Sequence, residues 1–144
     1  MEQLASAAKQ TFATTFAFYL KAQNYHWNVE GMFFKQLHDL FGQIYEEVYG
    51  SVDTFAEEIR ALGTYTPGSF TRFANLSAIE DELQIPDAKT MLTQLYSDNN
   101  KVLELLNICF ELANQNNQHG FADFLAGRID AHRKHSWMLR ATLK

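Results

Sequence analysis

The chain predicts an all-α fold: four long helices packed as a bundle, with one long crossover between the second and the third. Three observations carry this. Apolar residues recur at spacings of three, four and seven over long stretches, which is the period of one helix face. Both prolines, Pro67 and Pro86, fall in a single segment that lacks such a period. The other breaks are short and carry glycine or polar residues, so the helices they join are expected to run antiparallel.

Leu4, Ala8, Phe12, Phe16, Tyr19 and His26 lie on one face of a helix from about Gln3 to Asn28. Gly31 suits the turn that follows. Leu37, Phe41, Ile44, Val48, Phe55, Ile59 and Leu62 give a second helix from about Phe34 to Leu62, with Gly63 as its stop. Residues 64–87 read as the crossover, with one short helix near Phe70–Leu76. Asp87 is placed as the N-cap of a third helix, whose stripe is Leu92, Leu95, Leu103, Leu106, Phe110 and Ala113. NQNNQHG (114–120) is a polar turn. The last helix carries Phe121, Leu125, Ile129, His132 and Leu139. A helix near thirty residues is roughly 45 Å long. An extended crossover spans that length, so the second and third helices run parallel. No repeat or linker divides residues 1–144, which read as one domain.

The composition sets limits on function. Apolar residues make up 47% and charged residues 20%, ordinary values for a folded chain. Twelve phenylalanines are more than one covered core needs, so some are expected between subunits. The formal charge of −5 disfavours nucleic acid and suits cation traffic. The single cysteine, Cys109, cannot form an internal disulfide and lies on an apolar face, where it reads as packing in an intracellular protein. No leader or membrane span is visible.

On a wheel of about 100° per residue with His38 at zero, the core stripe of the second helix clusters near roughly −90°. Asp53 falls near about +60° and Glu57 near about +100°, away from the core. Gly42, Tyr45, Tyr49 and Ala56 share that face, and small and aromatic residues suit another helix better than water. Glu47, Glu58 and Thr54 lie further round, as the wet side. His38 and Asp53 are about 22 Å apart along the axis, too far for one ion in one chain. A second copy packed antiparallel across a two-fold axis would bring His38 of one chain beside Asp53 and Glu57 of the other. His26, at the end of the first helix, could lean toward the same spot. Two carboxylates one turn apart plus imidazoles suit iron, manganese or zinc. The plainer reading, hydrogen-bonded core histidines and a solvated acidic face, stands beside it on spacing alone.

HWNVEGMFFKQLHDLF, followed by DTFAEEI, resembles the signature of the Dps family, the mini-ferritins. DAHRKHSWMLRATL resembles the end of that family's last helix, so the resemblance covers nearly the whole chain. It implies a ferritin-like four-helix bundle assembled into a hollow dodecameric shell in the cytoplasm. It implies a ferroxidase that oxidises iron(II) at two-fold interfaces with hydrogen peroxide as favoured oxidant. Ferric mineral is then stored inside, which limits oxidative damage. Carried over by position, His26, Asp53 and Glu57 are one chain's share of the centre and His38 is the partner's. Trp27 matches a tryptophan near the centre, with interface packing as its alternative. Asp123 matches an acidic pore residue near the start of the last helix, or else a first-turn carboxylate favouring the helix N-terminus. Ordinary ferritins match less well, because their intra-bundle centre needs Glu-x-x-His, which occurs nowhere here.

One position departs from the family. An acidic residue is usual four positions after the second histidine, and here it is Gly42. That leaves one tight iron per centre and slower oxidation as the expectation. Glu46 lies near the same face and is either a substitute ligand or a surface glutamate. A cage with a degenerate site, acting in metal binding or DNA protection, is the alternative function. His132 and His135 are read as a core and a surface residue rather than a metal pair. DNA binding is not expected: only Lys9 is basic among the first twenty residues, and Arg128, Arg133, Lys134, Arg140 and Lys144 read as a solvated or salt-bridged face.

Overall fold

A computed structural model describes residues 1–144. Six helices form: α1 (Glu2–Asn28), α2 (Phe34–Tyr49), α3 (Val52–Ala61), α4 (Phe70–Leu76), α5 (Ala88–Gln115) and α6 (His119–Leu143). The bundle consists of α1, the α2–α3 pair, α5 and α6, and α4 lies in the crossover. Gly31 (φ 121°) and Gly63 (φ 95°) take backbone conformations that favour glycine, at the turn after α1 and just after α3. Asp87 caps α5, its carboxylate accepting from the Thr90 amide at 2.8 Å.

The expected second helix, Phe34–Leu62, is interrupted. Gly50 and Ser51 keep right-handed helical backbone, but the Ser51 amide bonds Val48 O rather than Glu47 O. The Ser51 hydroxyl donates to the same carbonyl at 2.6 Å. One tightened turn thus separates α2 from α3 without reversing the chain. The last turn is also shorter than expected: α5 runs to Gln115, and His119 and Gly120 already belong to α6.

Contacts between side chains fix the directions. Along α1, Thr11, Lys21 and Tyr25 meet Leu105, Asp98 and Gln94 of α5, so sequence rises on one helix as it falls on the other. Tyr19 meets Tyr45 and His26 meets His38, which makes α1 and α2 antiparallel as well. It follows that α2 and α5 run parallel, as the crossover requires. Glu47 meets Arg128 and His135, and Phe55 meets Phe121 and Phe124, which sets α6 against α2–α3.

The core stripe of α1 drifts from the one expected. Leu4, Ala8 and Phe12 are buried, but further along the buried residues are Phe18, Ala22 and Tyr25. Phe16, Tyr19 and His26 are only half-buried, on the shoulder of α1 that faces α2. Full burial of side chains such as Phe18, Phe41 and Phe55 contributes about 2 kcal/mol each. Cys109 is buried and burial pushes its thiol up to about 12, which leaves it a packing residue.

The crossover is tied down by polar contacts. The buried Lys21 ammonium donates to Asp98 and to the Glu80 carbonyl, both at 2.8 Å. The Tyr25 hydroxyl donates to Glu82 at 2.6 Å, and Ala78 N–H donates to Thr14 at 3.0 Å. These bonds hold the extended chain against α1.

Candidate metal centre

His26 lies in the last turn of α1 and His38 in the second turn of α2, and the Gly31 turn brings them together. Their rings stack, with centroids 3.8 Å apart and planes 17° from parallel. His26 Nδ1 lies 2.6 Å from the backbone oxygen of His38, and His38 Nδ1 lies 2.7 Å from the backbone oxygen of His26. A carbonyl only accepts, so each Nδ1 must carry the proton and donate it. Each Nε2 then keeps its lone pair. This is the tautomer a metal-ligating histidine needs, with the other ring nitrogen bonded to the backbone.

The reciprocal bonds have a local cause. The last carbonyls of a helix lack intrahelical partners, and His38 Nδ1–H satisfies that of His26 at the end of α1. In the other direction, the His26 ring lies across α2 at Gly42. A Cβ there would stand 3.0 Å from His26 Nδ1. The glycine therefore lets the ring reach the His38 carbonyl. Phe34 stacks against His38 at 5.1 Å and Tyr45 sits 5.1 Å from the His26 ring.

Asp53 and Glu57 lie one turn apart on α3, both exposed. Hydrogen bonding with Asp53, then its negative charge, raises the Glu57 carboxyl from its ordinary value. Nothing in the chain brings this pair to the histidines: no group of three or more potential ligands gathers anywhere in it. The family pattern sets His26 with Asp53 and Glu57 and His38 opposite them. Within the chain His26 and His38 stand together, because the turn after α1 folds them onto each other, and Asp53 and Glu57 stand apart from both on α3.

The remaining candidates are scattered. Glu46 is exposed, with no bond to the imidazoles. Trp27 is 60% exposed beside the turn. Asp123 is exposed in the second turn of α6, because that helix starts at His119, so the first-turn reading does not apply.

A ferritin-like domain model matches residues 6–144. DNA protection during starvation protein 2 of Bacillus anthracis is 30% identical over 87% of this chain and 86% of its own length. The chain belongs to the Dps family. A low-temperature-induced protein of Nostoc sp. is 31% identical over 94% of this Dps chain and 76% of its own length. The Dps crystal structure from Vibrio cholerae O1, described as one of the ferritin-like diiron-carboxylate proteins, superposes with a TM-score of 0.94 at 28% identity, over 99% of this chain and 90% of that one.

The Dps chain also holds a polar cluster that the sequence reading missed. Glu47 of α2 accepts from both guanidinium nitrogens of Arg128, one at 2.9 Å, and lies 2.8 Å from His135 Nε2. Burial would raise the Glu47 carboxyl, but the His135 and Arg128 bonds outweigh it and hold the group far below its usual range. His132 Nδ1 lies 2.7 Å from Asn99 Oδ1, and Arg128 reaches His132 Nε2 at 3.2 Å. His135, expected near the surface, is therefore buried, and Arg128, expected on a solvated or salt-bridged face, is buried in an ion pair, while Glu47 keeps its exposed edge as it binds both. The α6 spacing 128, 132, 135, 139 was the available signal: it is a buried-face pattern written in polar residues. An arginine in the middle of this cluster opposes a cation there.

Proposed function

We propose that this Dps chain assembles through two-fold contacts into a closed shell, a dodecamer by family, that oxidises iron(II) with hydrogen peroxide and stores the ferric product. The centre lies between two copies, with His26 and His38 from one and Asp53 and Glu57 from the other. The observation that supports it best is the imidazole pair. Both Nδ1 protons are committed to backbone carbonyls, both Nε2 atoms are free to bind, and the carboxylates that would complete the sphere are out of reach in the same chain.

The chemistry follows from the donors. Imidazole nitrogen holds iron(II), and anionic oxygen favours the higher charge of iron(III), so the mixed set pulls oxidation forward. Two iron(II), one peroxide and two protons yield two iron(III) and two waters. With Gly42 in place of an acid, the set at each centre is two imidazoles and two carboxylates, enough for one tightly held ion. Trp27 borders this face. Asp123 is assigned to an entry pore, and Glu46 to the approach to the centre rather than to the ion itself. DNA has no part in this reading: Arg128, one of the cationic residues of α6, is buried against Glu47 rather than offered to phosphate.

Anaerobic iron(II) followed by peroxide tests it. Ferric absorbance should rise quickly with the natural protein, and His38→Ala and Asp53→Asn should each remove the fast phase. A cage that binds iron but oxidises it no faster than buffer would instead favour a degenerate site.

A further inference from the structure

Beside the imidazole pair, three tyrosines from two helices form a continuous aromatic contact. Tyr45 lies 5.1 Å from the His26 ring and 6.2 Å from Tyr19, and Tyr19 lies 4.8 Å from Tyr49, centroid to centroid. Phenylalanine would pack as well, and Phe16 does so, 5.3 Å from Tyr19. The hydroxyls therefore ask for an explanation. That of Tyr19 donates to Gln23 at 2.7 Å. Those of Tyr45 and Tyr49 have no hydrogen-bond partner in the chain, and neither is a buried orphan. Tyr49 is 56% exposed. Burial, then the neighbouring Tyr49 and Tyr45, raise the Tyr19 phenol.

A redox role matches this arrangement and rests on the function proposed above. Peroxide takes two electrons, and a single ferrous ion supplies one. A centre holding one tight ion would then split peroxide to hydroxide and a hydroxyl radical. We propose that the Tyr45–Tyr19–Tyr49 cluster supplies the second electron, so that a centre with one ferrous ion reduces peroxide fully to water. Iron(II), one tyrosine, one peroxide and one proton give iron(III), a tyrosyl radical and two waters. The peroxide O–O bond breaks, and the phenol loses its electron and its O–H proton. A later iron(II) and a proton return the radical to tyrosine, which restores the overall two-iron stoichiometry. Tyr45 receives the oxidising equivalent because it touches His26. Tyr19 passes it on but does not hold it, since its proton points at an amide oxygen, a poor base. Tyr49 is the terminus, its hydroxyl free of any hydrogen-bond partner within the chain, and the phenol proton joins the added one in converting the peroxide oxygens to water.

The test loads the assembled protein anaerobically with equimolar iron(II), adds equimolar peroxide and freezes the mixture for electron paramagnetic resonance. A tyrosyl signal is expected whose hyperfine pattern changes when ring-deuterated tyrosine is incorporated. Tyr45→Phe and Tyr49→Phe, which keep the ring and its packing, should lose that signal. Both should raise hydroxyl-radical capture by a spin trap while ferric absorbance still develops. Ferric product with no tyrosyl signal, or a signal that survives both substitutions, overturns the relay and leaves the ferroxidase reading standing. A radical unmoved by tyrosine deuteration, as at Trp27, also overturns it. Failure to oxidise iron at all removes the ferroxidase reading and the relay together.

Discussion

An ideal Cβ on residue 42 would lie 3.0 Å from His26 Nδ1 and 3.1 Å from its Cε1. The ring must give by a few tenths of an ångström, which lengthens its 2.6 Å bond to the His38 carbonyl. Gly42→Ala should therefore loosen His26 in its clasp. Mid-helix alanine is favoured over glycine by about 1 kcal/mol, which offsets much of the crowding, so global stability should change little. Nitrogen-15 NMR of the imidazoles separates the two effects. The His26 Nδ1 proton should exchange faster than in the natural chain while the unfolding midpoint stays nearly fixed; unchanged protection would refute the steric role of Gly42. Gly42→Asp, which restores the family's acid, should loosen His26 in the same way, so adding a carboxylate there does not simply complete the centre. In the sequence Gly42 reads as a missing ligand. Its steric role was not legible, because the ring that rests on it comes from another helix.

Between elements, the long periodic stretches were legible because each buries a stripe against its neighbours, and the Pro-bearing crossover stood out by lacking one. The break at Gly50–Ser51 was not: both residues keep helical backbone, and the stripe from Val48 to Phe55 passes it in phase. Nor was the α2–α6 link, since a wheel drawn for one helix does not show a long Arg128 reaching Glu47 from another. That link predicts an acid sensitivity. Burial, then the charges of Arg128 and His135, depress His132 well below its usual value against the opposing pull of Glu47, so the folded chain keeps it neutral. The unfolded chain protonates it near ~6.5, and from there downward it binds more protons than the folded one. Stability should fall as pH drops below that point, by at most about 1.4 kcal/mol per pH unit from this group. Glu47, depressed in the folded state, adds a second loss only below ~4.5, its unfolded value. Urea midpoints between neutral pH and pH 5 measure the first effect. His132→Gln should flatten the slope in that window even though it lowers stability overall, and an unchanged slope would rule His132 out as its source.

For the whole molecule, the surplus of aromatic residues noted in the sequence appears at the surface. Trp27, Phe33, Tyr65, Phe70 and Trp137 are all more than half exposed. A lone chain with that surface is expected to seek copies of itself. The proposed centre then makes a prediction that one chain alone could not satisfy. Take a variant without imidazoles, His26→Ala with His38→Ala, and another without carboxylates, Asp53→Asn with Glu57→Gln. Neither alone should oxidise iron quickly. In a mixed two-fold pair, the imidazoles of the second face the carboxylates of the first, and one of the two centres is whole. Random co-assembly makes about half of the pairs mixed, so about a quarter of the natural activity should return when the two are denatured and refolded together. Separately refolded proteins mixed afterwards should recover nothing unless subunits exchange. Activity that fails to return in co-refolded shells of normal size would mean that the histidines and carboxylates do not meet across the interface. The same experiment tests the grouping of ligands. Were His26 to work with its own chain's Asp53 and Glu57, every centre in the mixture would lack either His26 or both carboxylates, and no whole centre could form.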